Sequence, residues 1–68
     1  MGWKPIDTAP FGTDLELCVI EQGEVYALVF PCRRVGDNSW SNTDTHEPVS
    51  VRPTHWRNWM ERTKKTQY

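Results

Sequence analysis

Spacings that hold a metal ion are missing from this 68-residue chain. Its two cysteines, Cys18 and Cys32, form no Cys-x-x-Cys, and His46 and His55 form no His-x3-His pair, so no neighbouring ligands converge on one ion. With no Gly-rich phosphate loop, no Gly-x-Ser-x-Gly elbow and no His-Glu-x-x-His, nothing points to a cofactor either. The acids are scattered rather than paired on one element, which leaves general acid/base catalysis without an anchor. The expectation is a protein that is not an enzyme. Long apolar runs are absent too: a stretch such as Ala27 to Phe30 falls far short of the roughly 20 residues of a membrane span. No charged segment leads into a hydrophobic stretch at the start, and two cysteines are too few for a secreted disulfide framework. These absences predict a cytoplasmic protein with no membrane partner.

Aromatic mass is what the chain does have. Four tryptophans (Trp3, Trp40, Trp56, Trp59), two phenylalanines and two tyrosines each remove about 150 to 250 Å² from water when buried, so they substitute for chain length in building a core. Charge is uneven. Residues 1 to 31 hold five acids against one base, and residues 32 to 68 hold seven bases against four acids, giving −4 and +3. Such asymmetry suits either a polyanion-binding end or two ends that attract each other.

The clearest local signal is a hairpin over residues 14–30. Asp14 to Ile20 and Glu24 to Phe30 are rich in β-branched and aromatic residues, and Gln22-Gly23 supplies a tight reversal. A two-residue loop there sets Leu15 opposite Phe30, Leu17 opposite Leu28 and Val19 opposite Tyr26 on one face, predicted to be the core. The second face carries Glu16, Cys18, Ile20, Val25, Ala27 and Val29, too apolar for free exposure. Cys18 and Cys32 point to opposite faces about 17 Å apart in this register, so no disulfide is expected. Cys32 reads as a loop-edge thiol whose pKa Arg33 and Arg34 lower.

A glycine-containing turn over Val35 to Asn38 precedes a short strand starting at Trp40, and Ser41 to Pro48 reads as a surface loop. Val49 and Val51 alternate with polar residues in the period-two pattern of a strand. Residues 54–60 fit a strand or a short helix, with extended structure favoured because short helices are weak alone. The fold expected is mainly β: a small twisted antiparallel sheet, or an open barrel, of four to five short strands over residues 1–60, with a flexible basic tail at 61–68. Trp3, Pro5 and Ile6 need apolar partners, and Trp56 and Trp59 are the largest available, so the two ends are expected to meet.

The opening Trp3-Lys4-Pro5-Ile6-Asp7-Thr8-Ala9-Pro10 and the closing Pro53-Thr54-His55-Trp56 resemble a widespread family of short, uncharacterised bacterial and phage proteins. That family has a Trp-x-Pro-Ile-Asp/Glu-Thr-Ala-Pro start and a Thr-His-Trp end. The resemblance spans residues 3 to about 59 and transfers no catalytic residue. One departure is visible: Phe11-Gly12-Thr13 stands where family members carry a longer, charged turn. The opening motif itself reads as a structural clasp, with Pro5 and Pro10 restricting the chain and Asp7 and Thr8 bonding nearby backbone.

Two binding surfaces emerge from the residues. The first is the second hairpin face, Cys18, Ile20, Val25 and Val29, or a sheet edge, suited to an unknown protein partner or a homodimer. The second is the C-terminal third, where Arg52, His55, Trp56, Arg57 and Trp59 have the composition of a single-stranded nucleic-acid site. His55 could act as acid, base or ligand, or else bond a carbonyl or a carboxylate such as Asp7.

Overall fold

The structure, a computed structural model, describes residues 2–60. The predicted basic tail at 61–68 lies outside the described residues. Strand β1 (Lys4–Pro5) is followed by a 3-10 turn (Ile6–Thr8), then β2 (Leu15–Glu21), β3 (Glu24–Ala27), β4 (Cys32–Gly36), β5 (Ser39–Asn42) and β6 (His55–Asn58). These six strands form one open antiparallel sheet, not closed into a barrel, and no α-helix occurs among the described residues. The sheet runs β1-β6-β2-β4-β5, with β3 also paired to β2.

The hairpin register follows from its turn. Gln22 and Gly23 both have positive φ, 52° and 81°, the type I′ geometry that matches the right-handed twist of paired strands. Cys18, Val19, Ile20 and Glu21 then face Ala27, Tyr26, Val25 and Glu24. The Leu28 N–H extends the ladder by donating to the Leu17 carbonyl at 2.9 Å.

Beyond Leu28 the predicted pairing ends. Leu15 faces Cys32 on β4, not Phe30. Pro31 has no N–H to give the ladder, and the chain bows out so that Val29 is 87% exposed before pairing resumes two residues late. An even slip keeps side chains on their original face, whereas an odd one would invert them. Cys32 therefore enters the core beside Leu15, and both are fully buried. Cys32–Gly36 is a strand, although the sequence predicts Cys32 at a loop edge and a turn starting at Val35.

Leu15 pairs with both Cys32 and Asn58, and Cys18 with both Ala27 and His55, so β6 lies on the side of β2 opposite β3 and β4. The core forms on the face shared by Leu15, Leu17 and Cys32. Trp40 and Trp56 complete it with Ala9, and Ile6, Leu28, Phe30 and Val49 pack against it.

The two ends meet as expected, with Lys4 opposite Trp56 and Pro5 opposite His55. Thr8 fastens them: its hydroxyl donates to the Pro5 carbonyl at 2.7 Å and accepts the Trp56 indole N–H at 3.0 Å. The two motifs at the chain's ends are thus one clasp. The strand expected at Val49 and Val51 does not form. Val49 donates its N–H to the Trp40 carbonyl and Pro48 bridges Ser41, after which Val51 is exposed and Pro53 has no N–H for a ladder.

Candidate functional site

The free edge of β3 follows from hydrogen-bond alternation. Because Leu28 donates to Leu17, the bonded pairs of the β2–β3 ladder are Leu17/Leu28, Val19/Tyr26 and Glu21/Glu24. Val25 and Ala27 lie between them and aim their N–H and C=O groups away from β2. The far side of β2 shows the same alternation: Ile20 donates its N–H to Thr54 Oγ1 at 2.9 Å, and the Cys18 carbonyl accepts the Thr54 N–H at 2.8 Å. Among the described residues no group bonds the outward amides of Val25 and Ala27.

Every residue of β3 is exposed, with Val25 at 49% and Tyr26 at 56%. The Tyr26 hydroxyl donates to Glu24 Oε1 at 2.9 Å, so the one charge of the strand is drawn along it. No lysine or proline, the usual guards of an edge, occurs between Glu24 and Val29. Of the predicted interaction face, Val25 and Val29 are exposed and Ile20 is half-buried. Cys18 departs from it. Flanked by Ala27 and His55 across the ladder, its thiol is fully buried and raised in pKa, first by desolvation and then by Glu16.

The face of the sheet away from the core carries the second cluster. Arg57 faces Glu16 and donates to its Oε1 from Nε at 2.7 Å, while the Trp3 ring stacks at 4.1 Å from the guanidinium carbon. That hydrogen bond raises the Arg57 pKa. His55 shares this face with Cys18, and its Nδ1 lies 2.8 Å from Thr54 Oγ1, not against Asp7. Trp59 is half-buried, and its backbone N–H donates to the Asp14 carbonyl at 3.3 Å.

Two residues read as nucleic-acid contacts fall elsewhere. Trp56 faces Leu17 in the core with its N–H already bonded, so it offers no ring to a base. Arg52 borders an open cavity of about 500 Å³ on the core side, beside Arg34, Trp40 and Val49. The Arg34 guanidinium there is a fastening. It donates to the carbonyls of Ala9 (2.7 Å), Asp37 (2.8 Å) and Gly36 (3.3 Å), and stacks between Phe11 and Trp40.

Cys32 is not a loop-edge thiol. Burial pushes its pKa up to about 11, and Arg33 and Arg34 do not counter this because one binds Asp14 and the other backbone carbonyls. Cys32 and His55 lie on opposite faces of the sheet, and both cysteines are free. No group of three metal-ligating side chains occurs among the described residues. No family model, curated protein or solved structure matches the chain.

Tyr26, expected on the core face opposite Val19, is instead an exposed edge residue because no described strand lies beyond β3, and Trp3 is the unexpected partner of Arg57. The alternation of the hairpin already marked Val25 and Ala27 as one set. Only the full sheet order reveals that no described strand lies on their outer side.

Proposed function

We propose that this chain is a small binding domain that accepts one further strand along β3, supplied by a protein partner or by another copy. The observation that carries this reading is the outward backbone of Val25 and Ala27 on an exposed strand. A strand edge offers main-chain hydrogen bonds for affinity and alternate side chains for specificity. Membership in the uncharacterised bacterial and phage family belongs to the same proposal, supported by the pairing of its two motifs across β1 and β6. A non-enzymatic role and a cytoplasmic place fit two free, buried thiols, one of them raised to about 11.

Single-stranded nucleic acid is the weaker reading. Arg33 and Arg57 are matched by Asp14 and Glu16, and Trp56 and Arg52 are removed from the face that holds Trp3 and Arg57.

Selecting binders from a displayed library of extended peptides tests the reading. Selected peptides should protect the Val25 and Ala27 amides from exchange and lose binding to Ala27→Pro, whose missing N–H lies outside the β2 ladder. Peptides that leave those amides unprotected would overturn it.

A further inference from the structure

We propose that the strand added to β3 is β3 of a second copy, running antiparallel about a two-fold axis that passes through Tyr26. This inference rests on the strand-addition reading and names its partner. A closed two-fold interface uses the same patch on both chains, so the patch must be complementary to itself. β3 meets that condition in one register.

The outward groups belong to Val25 and Ala27 alone. Setting Val25 opposite the second copy's Ala27, and Ala27 opposite the second copy's Val25, bonds every one of these N–H and C=O groups. A one-residue shift would set outward groups against inward ones. Centring the axis on Val25 would match Ala27 with the turn glycine, Gly23. Centring it on Ala27 would match Val25 with Val29, where the chain has already left the ladder.

Side chains favour the same arrangement. Tyr26 meets its own copy across the axis in a non-hydrogen-bonded pair, the closer of the two antiparallel spacings. Val25 lies beside Ala27 on the other face. Glu24 falls opposite Leu28, so no like charges meet. The joined sheet would run without interruption through both copies. A contact over a strand of four residues lies below the roughly 1,200 Å² of a stable complex, so association is expected only in the upper micromolar range.

Cross-linking tests the register directly. In a non-hydrogen-bonded pair the two Cα atoms lie about 4.5 Å apart, within disulfide reach. Tyr26→Cys, at an exposed position, should therefore form a covalent dimer under mild oxidation. Val25→Cys alone should not, because the axis holds the two copies of that position apart. Val29→Cys, at the most exposed of these sites, measures random collision. The buried Cys18 and Cys32 do not compete. Equal yields from Tyr26→Cys and Val29→Cys overturn the register.

Sedimentation of the unmodified protein up to millimolar concentration separates the remaining outcomes. Reversible dimers that Ala27→Pro abolishes support the proposal. A monomer whose Val25 and Ala27 amides are protected only by selected peptides overturns the second copy but retains strand addition. A monomer with those amides protected unaided means that the chain covers its own edge, which overturns both.

Discussion

Leu15 lies directly opposite Cys32, two residues further along the chain than an uninterrupted hairpin would set it. The even slip places a thiol where the continuous ladder would have placed Phe30. It also keeps Arg33 out of the core and on the Asp14 side, with 2.9 Å between Nε and Oδ1.

Alkaline pH should expose this burial. The folded Cys32 pKa is raised from 9.0 to about 11, so its stabilising contribution is complete below about 9 and is lost as pH rises through about 11. Two pKa units amount to roughly 2–3 kcal/mol. Cys18 is raised as well and acts in the same direction. Urea titrations between pH 8 and 11 should show a steeper loss for the natural protein than for Cys32→Ala. Equal slopes would refute a buried thiol.

Thr54 gives a second test. Its hydroxyl accepts the Ile20 N–H beyond the end of β6, where no strand continues to do so. Thr54→Val should cost about 1–3 kcal/mol because the amide loses its acceptor, and Thr54→Ser should recover most of it. Equal destabilisation by both variants in denaturant melts would assign the effect to packing.

The β2–β3 turn can be improved. Gln22 sits at φ 52°, a left-handed position that asparagine tolerates better, so Gln22→Asn should stabilise by a few tenths of a kcal/mol. Gly23→Ala at φ 81° should cost about 1 kcal/mol or more. Thermal melts of the two variants should move in opposite directions.

Arg34 should resist conservative replacement. Its planar fork serves carbonyls from the Ala9 segment and the β4–β5 turn together, which a lysine ammonium cannot span. Arg34→Lys is expected to lose about 2 kcal/mol or more, a drop on the order of 10 °C in Tm. A Tm within a degree or two of the parent would show the fastening to be dispensable.

Local chemistry made some of this legible. Glycine at 23 between alternating runs fixed the β2–β3 register, and the apolar demands of Trp3, Ile6 and Trp56 brought the ends together. The excursion of the chain between Leu28 and Cys32 was hidden because Val29 and Phe30 continue the apolar pattern while Pro31 alone interrupts the ladder. Arg33-Arg34 made Cys32 look exposed, since composition does not tell that one arginine would meet Asp14 and the other backbone carbonyls. Val49 and Val51 carried the period of a strand, but periodicity reports a half-buried ribbon and not a bonded neighbour. For the candidate site, the apolar character of Val25 and Val29 could be read locally, whereas their exposure and the burial of Cys18 and Trp56 depend on which strands lie beside β2 and β3.

The insertion of β6 between β1 and β2 also constrains assembly during synthesis. The central strand β2 is made early, yet its neighbour on one flank, β6, is the last of the described strands along the chain and pairs with it through Leu17 and Trp56. Nascent chains must hold an unfinished sheet until translation has passed Asn58. Such distant pairing predicts folding that is slow for so short a polypeptide.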